Sequence, residues 1–431
     1  MGKLTILDLR KLFWLILIFV SSIGCVYAGA TPRNPIVFIH GMLASGDTYS
    51  GQLARFEANG YDPNLLHLFD WNSLSFGRGN ALNELDAFVD SVRALAGGSK
   101  VFLVGHSAGS GLVYNYCKDA ARTDKVNGVV LIGGFAQDTT AGHNHQIPTM
   151  NIYSTADLVA KGGADVPGAA NVKLEKEDHY EVATGMAAFN AMYQFITKAD
   201  LFISDAVYTD QEVVLAGKAV TLGDNTPLRG GSVQVFQVDV TTGKRMRKKP
   251  DGQFMVDHLG NWGPMKAIFN ASYEFVARGA DSSAKPIHYF REKVKQSNSN
   301  IYLRVIPNSG MLTMMFSGLP SDSCPALAVF SASQAILNGR DSLTIDGTKL
   351  TGTDFFKPSR TTIAMFLYDG NKNGKSDLNG VGLFNMQGVF LAGIDMVFRP
   401  NETPIILEFN GRTLAVRRIP SKDGVVVPVF D

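Results

Sequence analysis

The sequence has few cysteines, almost no net charge and no long apolar run. Only Cys25, Cys117 and Cys324 occur in 431 residues, and a chain of this size needs no disulfide framework. The 40 basic and 39 acidic residues leave a formal charge of +1, which argues against a nucleic-acid partner because phosphates require a basic surface. With 45% hydrophobic and 18% charged residues the chain is globular, and its length predicts two or three domains.

The N-terminus has the features of a secretory signal peptide. Basic residues precede an apolar run over residues 12–20, and small residues then end in an A-x-A-like site at Ala28. The run is short for a membrane span. We therefore predict that residues 1–28 are a signal peptide and that the protein is secreted or periplasmic. A retained membrane anchor and lipid attachment at Cys25 are the alternatives.

The most informative stretch is Gly105-His106-Ser107-Ala108-Gly109. It follows an apolar run and precedes helix-forming residues, so Gly-x-Ser-x-Gly lies between a strand and a helix, as in a nucleophile elbow. A turn this tight brings neighbouring backbone close to both glycine positions, where a side chain would collide. We predict that the turn exposes the Ser107 hydroxyl as a nucleophile.

Strands and helices alternate on both sides of this turn, which predicts a parallel sheet covered on both faces. The predicted strands cover residues 35–42, 65–69, 101–104, 126–132, 149–153 and 171–174. The predicted helices cover residues 83–95 and 180–195, and the first buries a face that includes Leu85, Val92 and Leu95. Cys117 falls on the helix after the turn and is expected to be a buried thiol.

An oxyanion hole is predicted from two main-chain N–H groups. The loop after the first strand, His40-Gly41-Met42, contributes one donor and the residue after the nucleophile contributes the other, which assigns Met42 and Ala108. Main-chain donors suit this task because they are held rigidly, and one such donor is worth about 3 kcal/mol in the transition state.

The acid and the base must follow Ser107 in that order. Asp157 comes directly after a strand, where functional groups gather in parallel sheets, whereas Asp138 lies early and Asp165 lies in a glycine-rich loop. Asp157 is therefore the predicted acid, with the other two as competitors.

His179 is the predicted base because it follows the last strand and opens the last helix. His143 and His145 are rivals, but both precede Asp157 and so break the chain order. In this scheme His179 accepts the Ser107 proton, Asp157 fixes the imidazole tautomer, and the product is an acyl-enzyme that water hydrolyses.

These motifs resemble those of secreted bacterial triacylglycerol lipases and esterases of the α/β-hydrolase superfamily over residues 33–199. The resemblance rests on His40-Gly41-Met42, Gly105–Gly109, Ser154-x-x-Asp157 and Asp178-His179. It implies an α/β-hydrolase fold and hydrolysis of ester, including lipid, substrates without a catalytic cofactor. The segment over residues 136–148, between two predicted strands, is short compared with the lid that many such lipases have at this place. This argues against activation by a large lid.

The second half of the chain predicts all-β domains. Residues 233–240 alternate between apolar and polar side chains, and Gly, Pro and Asn recur about every ten residues. We predict a hydrolase domain over 29–200, a transthyretin-like or immunoglobulin-like sandwich over 201–284, and a further β-domain over 285–431. Hairpin turns are expected at Asp346-Gly347 and Asn410-Gly411.

The overall layout resembles that of lipases with a C-terminal β-barrel that engages long-chain substrate. The resemblance implies contact with a lipid interface through the C-terminal β-domain. Truncation after Ala199 is then expected to reduce turnover of long-chain esters far more than that of short ones.

Residues 201–431, which comprise the two predicted β-domains, are named the β-region. Three segments of the β-region have two interpretations each. Asp369, Asn371, Asn373 and Asp377 match the early ligand positions of a calcium loop, but Gly380 replaces the bidentate glutamate, so a polar hairpin turn is the alternative. The basic run 244–249 is interpreted as a solvated hairpin loop rather than an anionic-surface site. Residues 311–316 are interpreted as a core strand rather than a lipid-contacting surface.

The leading hypothesis is a secreted serine carboxylester hydrolase, most simply a lipase acting on acylglycerols. A polyester depolymerase or short-chain esterase is the rival among enzymes. A non-catalytic surface or binding protein on a hydrolase scaffold is the rival from another class.

Overall fold

The structure is a computed structural model that describes residues 33–75, 79–201, 212–281, 284–307, 311–352, 361–382 and 390–431. The chain divides into two units, Met1–Arg33 and Asn34–Asp431, and all described residues except Arg33 belong to the second. The predicted signal peptide and Cys25 lie outside the described residues. Within the described part of the chain, no helix combines the length and apolarity needed to cross a membrane.

The N-terminal sheet is parallel throughout, with the strand order β2-β1-β3-β4-β5-β6. Its strands are β1 (Ile36–Ile39), β2 (Leu66–Phe69), β3 (Val101–His106), β4 (Val126–Ile132), β5 (Thr149–Ser154) and β6 (Ala170–Leu174). Alternate residues of β1 belong to two different cores, Phe38 to one and Val37 to the other. The sheet is therefore buried on both faces, which is why its strands read as continuous apolar runs.

Six α-helices accompany this sheet within the described residues 33–201. They are α1 (Ser50–Ala58), α2 (Ala81–Leu95), α3 (Ala108–Tyr116), α4 (Ala120–Thr123), α5 (Glu181–Thr184) and α6 (Met186–Thr197). The single helix predicted over 180–195 is two helices, because Gly185 has an extended backbone between them. Leu95 is 81% exposed, so its predicted place on the buried face of α2 is wrong, whereas Leu85 and Val92 are buried.

The described residues from 212 onward form three further sheets. A three-stranded sheet has the order β10-β7-β13, an eight-stranded sheet β18-β17-β14-β21-β12-β11-β8-β9, and a four-stranded sheet β16-β15-β19-β20. The strands are β7 (Val213–Thr221), β8 (Ser232–Val238), β9 (Gly252–Met255), β10 (Asn261–Ala267), β11 (Ser272–Arg278), β12 (Ile287–Arg291), β13 (Asn298–Val305), β14 (Leu327–Ser331), β15 (Leu343–Ile345), β16 (Thr348–Lys349), β17 (Ala364–Tyr368), β18 (Leu391–Asp395), β19 (Ile405–Phe409), β20 (Arg412–Val416) and β21 (Val425–Phe430).

The predicted boundary between residues 284 and 285 falls inside shared sheets rather than between two β-units. β11 pairs with β12 across this boundary, and β13 returns to pair in parallel with β7. Both predicted hairpin turns occur where expected. Asp346-Gly347 joins β15 to β16 and Asn410-Gly411 joins β19 to β20, each pair with positive φ at both residues, as a type I′ turn requires.

The segment predicted as a core strand over 311–316 is a helix, α7 (Met311–Phe316). The prediction was wrong because a run of six residues that is apolar except for Thr313 has no periodicity that separates a strand from a helix. Leu312 and Phe316 are buried, whereas Met314 is 60% exposed.

Candidate active site

Ser107 lies at the tip of a strained turn between β3 and α3. Its φ of 55° and ψ of −119° are unusual for a residue that has a side chain. The turn is held by the Ser107 N–H, which donates to Ile132 O at 2.8 Å, and by Ser110 Oγ, which donates to Gly105 O at 2.6 Å. The carboxyl end of the central strand thus presents the Ser107 hydroxyl at the edge of the sheet.

The two glycines of the motif are required by close approach. A Cβ atom at Gly105 would lie 2.5 Å from Gly109 O, and one at Gly109 would lie 2.4 Å from Ile39 O. Both neighbours are backbone atoms that cannot move aside. A side chain at either position would therefore collide with the backbone, as the sequence predicted.

Three predicted residues come together above the sheet. His179 Nε2 lies 2.9 Å from Ser107 Oγ, and His179 Nδ1 lies 2.7 Å from Asp157 Oδ2. They come from the loops after β3, β5 and β6, which all end at the same edge of the parallel sheet. His179 and Asp157 are almost fully buried. In this geometry the imidazole can accept the Ser107 proton while Nδ1–H donates to the carboxylate.

Asp157 is held as a carboxylate. Burial alone would raise its pKa, but the hydrogen bond and charge of His179 and the N–H groups of Ala160 and Val159 outweigh burial and lower the pKa. Those two N–H groups donate to Asp157 Oδ1 at 2.9 and 2.8 Å. The other oxygen is left for His179.

The competing residues lie elsewhere. Asp138 is exposed, and Asp165 accepts a hydrogen bond from the Tyr153 hydroxyl at 2.8 Å. His143 and His145 are exposed, with their Nδ1 atoms near Lys118 O and Thr139 Oγ1. Among these candidates, the structure brings only Asp157 and His179 to Ser107.

His106 and Asp178 fix the backbone around His179. His106 Nε2–H donates to His179 O at 2.7 Å. Burial, and then the nearby His179, lower the pKa of His106 to about 3, so its ring is neutral at pH 7. Asp178 Oδ2 accepts from Ala335 N and pairs with Arg340, both in the β-region. The β-region therefore helps to place the loop that carries His179.

Met42 and Ala108, the predicted oxyanion donors, line the same cavity as Ser107 and His179. Ala108 is the first residue of α3, where a main-chain N–H has no partner within the helix. Met42 follows Gly41, at which a Cβ atom would lie 3.0 Å from Ser107 Cβ. The loop after β1 therefore passes directly beside the nucleophile, as an oxyanion loop must.

The cavity around Ser107 is apolar and is not built by the hydrolase sheet alone. Leu312 of α7, Phe390 and Leu391 line it together with Leu43 and Leu74. The Phe390 ring stacks near the His179 ring at a centroid distance of 6.0 Å. Sequence reasoning missed Phe390 and Leu391, because nothing in their local pattern indicates which distant residues they meet.

A second apolar cavity of about 100 Å³ adjoins the first. Leu43, Phe390 and Leu391 line both cavities, so the two share a wall. The second continues among the strands of the eight-stranded sheet, and six of its lining residues are Ala328, Phe330, Ala364, Phe366, Val425 and Val427.

The predicted calcium loop lies at an exposed turn after β17, away from Ser107. Asn371 and Asn373 donate side-chain hydrogen bonds to Asp377 Oδ2, and Asp369 accepts from the N–H groups of Asn373 and Gly374. Within the described residues no group of three or more His, Cys, Asp or Glu side chains is arranged to hold a metal ion. Calcium binding there stays a prediction.

The basic run is only partly a solvated loop. Lys248 and Lys249 are exposed, but Arg245 is bonded to the buried Glu274 through Nε at 2.6 Å and lies over the Phe236 ring. Cys117 is buried as predicted, burial raises its pKa to about 12, and both it and Cys324 are free thiols.

Two family models match the chain. The α/β hydrolase fold matches residues 34–153, and the lipase C-terminal domain matches residues 211–307. The second match runs across the predicted boundary at 284/285, in agreement with the sheets that cross it.

Solved structures also resemble part of the chain. One is the Bacillus licheniformis lipase BlEst2, with 16% sequence identity and a TM-score of 0.32 over 38% of this chain and 93% of that chain. Another is the Paleococcus ferrophilus monoacylglycerol lipase, with 16% identity and a TM-score of 0.30 over 38% of this chain and 96% of that chain. A third is Aspergillus fumigatus lipase B, with 12% identity and a TM-score of 0.30 over 43% of this chain and 56% of that chain. At such TM-scores the likeness carries no argument, and the fold assignment rests on the strand order and the family models. Residues 34–153 therefore match the α/β hydrolase fold, and residues 211–307 match the lipase C-terminal domain.

Proposed function

We propose that this protein is a serine carboxylester hydrolase that acts on long-chain acyl esters, with acylglycerols as the preferred substrates. The observation that carries the proposal is the apolar cavity around Ser107 and His179, which shares a wall with a second apolar cavity inside the β-region. In this proposal the first cavity receives the ester group and the second receives part of its acyl chain.

In the first step Ser107 Oγ attacks the ester carbonyl carbon while His179 Nε2 accepts the hydroxyl proton. The distance of 2.9 Å between these atoms suits direct proton transfer. Asp157 stabilises the imidazolium through Nδ1–H. The carbonyl oxygen becomes an oxyanion that accepts hydrogen bonds from the N–H groups of Met42 and Ala108.

In the second step the tetrahedral intermediate collapses. The C–O bond to the alcohol breaks, His179 returns the proton to the leaving alkoxide, and the acyl group remains on Ser107. Water then attacks the acyl-enzyme with His179 again as base, which releases the carboxylic acid and restores the Ser107 hydroxyl.

The preference for long chains follows from what the cavities bury. Transfer of each CH₂ group from water to an apolar site contributes about 0.8 kcal/mol. The hydrolase part contributes apolar groups near Ser107, among them Leu43, Leu74 and Phe135. Leu312, Phe390, Leu391 and most of the residues that line the second cavity come from the β-region and extend this apolar surface.

We also propose that the cavity mouth contacts a lipid interface. Phe135 lines the cavity and is 72% exposed. Leu158 and Met314 are exposed apolar residues close in sequence to the lining residues Val159 and Leu312. Exposed apolar side chains from both halves at one opening suit partial insertion into a lipid surface.

Secretion remains part of the proposal and rests on the sequence of residues 1–28. Expression of the full chain in a bacterial host and N-terminal sequencing of exported protein provide its test. We expect the exported chain to begin at Gly29. Retention of the full chain in the membrane fraction would contradict this part.

The test of the enzymatic proposal combines a fluorophosphonate probe with p-nitrophenyl esters of increasing acyl length. We expect the wild type to be labelled and to show its highest kcat/KM on long acyl chains. Ser107→Ala should lose both labelling and hydrolysis without a change in its circular dichroism spectrum, because the hydroxyl performs chemistry and contributes little packing.

Ser91→Ala, at an exposed position of α2, is the matched control and should behave like the wild type. An unlabelled wild type would favour the scaffold alternative. A wild type most active on acetate or butyrate would favour the short-chain esterase.

A further inference from the structure

The loop that carries Met42 is held by a residue of the β-region. Asn225 lies in the turn after β7, is 6% exposed, and has a φ of 56°, which asparagine tolerates better than most residues. Its side chain reaches across to the hydrolase part of the chain. There it contacts the loop between β1 and α1, which includes His40, Gly41 and Met42.

Both ends of the Asn225 amide are engaged. Nδ2 lies 3.1 Å from His40 Nε2, 3.0 Å from Ala44 O and 3.1 Å from Trp71 O. Oδ1 accepts a hydrogen bond from Ser45 Oγ. One side chain thus contacts the residues on both sides of Gly41-Met42-Leu43.

The hydrogen bonds of His40 show how this contact reaches the oxyanion loop. His40 Nδ1 lies 2.7 Å from Gly41 O and so must donate, because a carbonyl can only accept. Nε2 is then the acceptor, for Trp71 N–H at 3.2 Å and for Asn225. Burial lowers the pKa of His40, in keeping with this neutral ring. Asn225 therefore fixes the ring whose other nitrogen holds the Gly41 carbonyl.

The other side of Met42 is tied to the same turn. The N–H of Leu43 donates to Ser73 Oγ at 3.0 Å, and Ser73 Oγ donates to Gly223 O at 3.1 Å. Gly223 lies two residues before Asn225. The turn after β7 thus holds the backbone on each side of Met42, which lines the cavity around Ser107.

We propose that Asn225 is a positioning residue that holds the Met42 N–H in place for the oxyanion. The proposal rests on the proposed ester hydrolysis and adds to it a polar contribution of the β-region to the chemical step. Asn225 is not among the residues that line the cavity around Ser107, so it acts through His40 and Ala44 rather than on the substrate.

The test uses the full chain with Asn225→Gly and Asn225→Asp. The first removes the side chain and tolerates the positive φ, and the second keeps the shape but replaces the Nδ2 donor with an acceptor. We expect kcat on p-nitrophenyl butyrate to fall about 10- to 100-fold with little change in KM, because displacement of a catalytic group by about 1 Å costs rate rather than binding. Two independent variants keep the test decisive if one fails to fold.

The matched control is Ser50→Ala. It removes another hydrogen bond between the two halves, from Ser50 Oγ to Asn300 O at 3.3 Å, away from the oxyanion loop. It should keep the wild-type kcat. A fall in the melting temperature of the Asn225 variants with unchanged kcat well below that temperature would overturn the proposal, since Asn225 would then only dock the two halves.

Hydrogen–deuterium exchange of the peptide covering residues 40–45 provides a readout that needs no activity. We expect faster exchange there in both Asn225 variants than in Ser50→Ala. If the wild type hydrolyses no ester but this difference appears, the enzymatic proposal fails while the positioning of the loop by Asn225 stands. Unchanged exchange together with unchanged kcat overturns the inference itself.

Discussion

At the scale of single residues, the site depends on a few groups that hold one another through hydrogen bonds. Asp157 uses one carboxylate oxygen for two main-chain N–H groups and the other for His179. His106 is neutral and donates to the His179 carbonyl. Because each partner is fixed by another, the His179 ring has little freedom to turn away from Ser107.

Asp157→Asn is expected to reduce kcat about 10⁴-fold with the fold intact. An amide N–H facing His179 Nδ1 favours the imidazole tautomer that carries its proton on Nε2, and that nitrogen then cannot accept the Ser107 proton. Steady-state kinetics on a soluble p-nitrophenyl ester measures the loss. Asp138→Asn, at an exposed position, is the control, and a larger loss in that control would show that Asp157 is not the acid.

At the scale of elements, the strands of the eight-stranded sheet serve as the wall of the second cavity. Ala364 begins β17 and Ala328 lies in β14, and both line this cavity. Small side chains at these two positions leave space between the sheet and the hydrolase part.

Ala364→Trp should shorten the preferred acyl chain. The indole ring would fill part of the second cavity, so we expect kcat/KM for p-nitrophenyl palmitate to fall at least tenfold while that for butyrate changes little. The loss corresponds to two or more CH₂ groups that are no longer buried, at about 0.8 kcal/mol each. Ala94→Trp adds the same ring to the exposed face of α2 and is the control. Equal losses on both esters would mean that the second cavity does not hold the acyl chain.

A buried ionic cluster joins elements of the β-region. Glu274 of β11 is fully buried and is bonded to Arg245, Arg417 and His288, the last at 2.7 Å from β12. Burial would raise the Glu274 pKa, but the hydrogen bonds of His288 and Arg245 and the charge of Arg417 outweigh it and lower the pKa to about 2.

Glu274→Gln should lower the free energy of unfolding at pH 7 by about 3 kcal/mol, because it leaves the partly buried Arg245 and Arg417 without their buried anion. The folded-state pKa lies below the usual value of 4.5, so this contribution is complete above about pH 4.5 and is lost as pH falls toward 2. Urea unfolding at several pH values should therefore show a difference in the free energy of unfolding between wild type and variant, and this difference should disappear in acid. Glu402 pairs with Lys244 and its side chain is 96% exposed, so Glu402→Gln should leave the free energy of unfolding unchanged at each pH. A difference that stays constant with pH would argue against the ionic origin.

At the scale of the whole molecule, the β-region covers the functional edge of the hydrolase sheet. Asn225 contacts the oxyanion loop, Lys218 and Tyr302 both contact Asp70 after β2, and Arg340 contacts Asp178 beside His179. These contacts are polar and reach three different loops of the hydrolase part. The β-region therefore shapes the position of the reacting groups as well as the apolar cavity.

This arrangement changes what truncation after Ala199 is expected to do. The sequence alone predicted a selective loss on long-chain esters. Because the fragment loses the partners of the oxyanion loop and of Asp178, we now expect a large loss on butyrate esters as well. Circular dichroism and the ester panel check this on the purified fragment. A folded fragment with full activity on butyrate would show that the hydrolase part positions its own loops.

The sequence by itself was sufficient to predict the three residues that lie together at the centre of the candidate site. The elbow at Ser107, the Ser–Asp–His order and the parallel sheet are predictable because each depends on short-range spacing and on the rule that parallel strands end at a common edge. The same local reasoning could separate Asp157 from Asp138 and Asp165. It could not identify Phe390, Leu391 or Asn225 as neighbours of that centre.

Only the tertiary structure decided those neighbours and the layout of the β-region. β13 pairs with β7 and β12 pairs with β21, and residues far apart in sequence form each pair. Alternating polarity predicts a strand but contains no information about its partner, which is why the predicted boundary at 284/285 fell inside shared sheets. The helix over 311–316 and the contact of Asn225 with His40 could not be predicted for the same reason. Both depend on residues that are distant in the chain and not on their sequence neighbours.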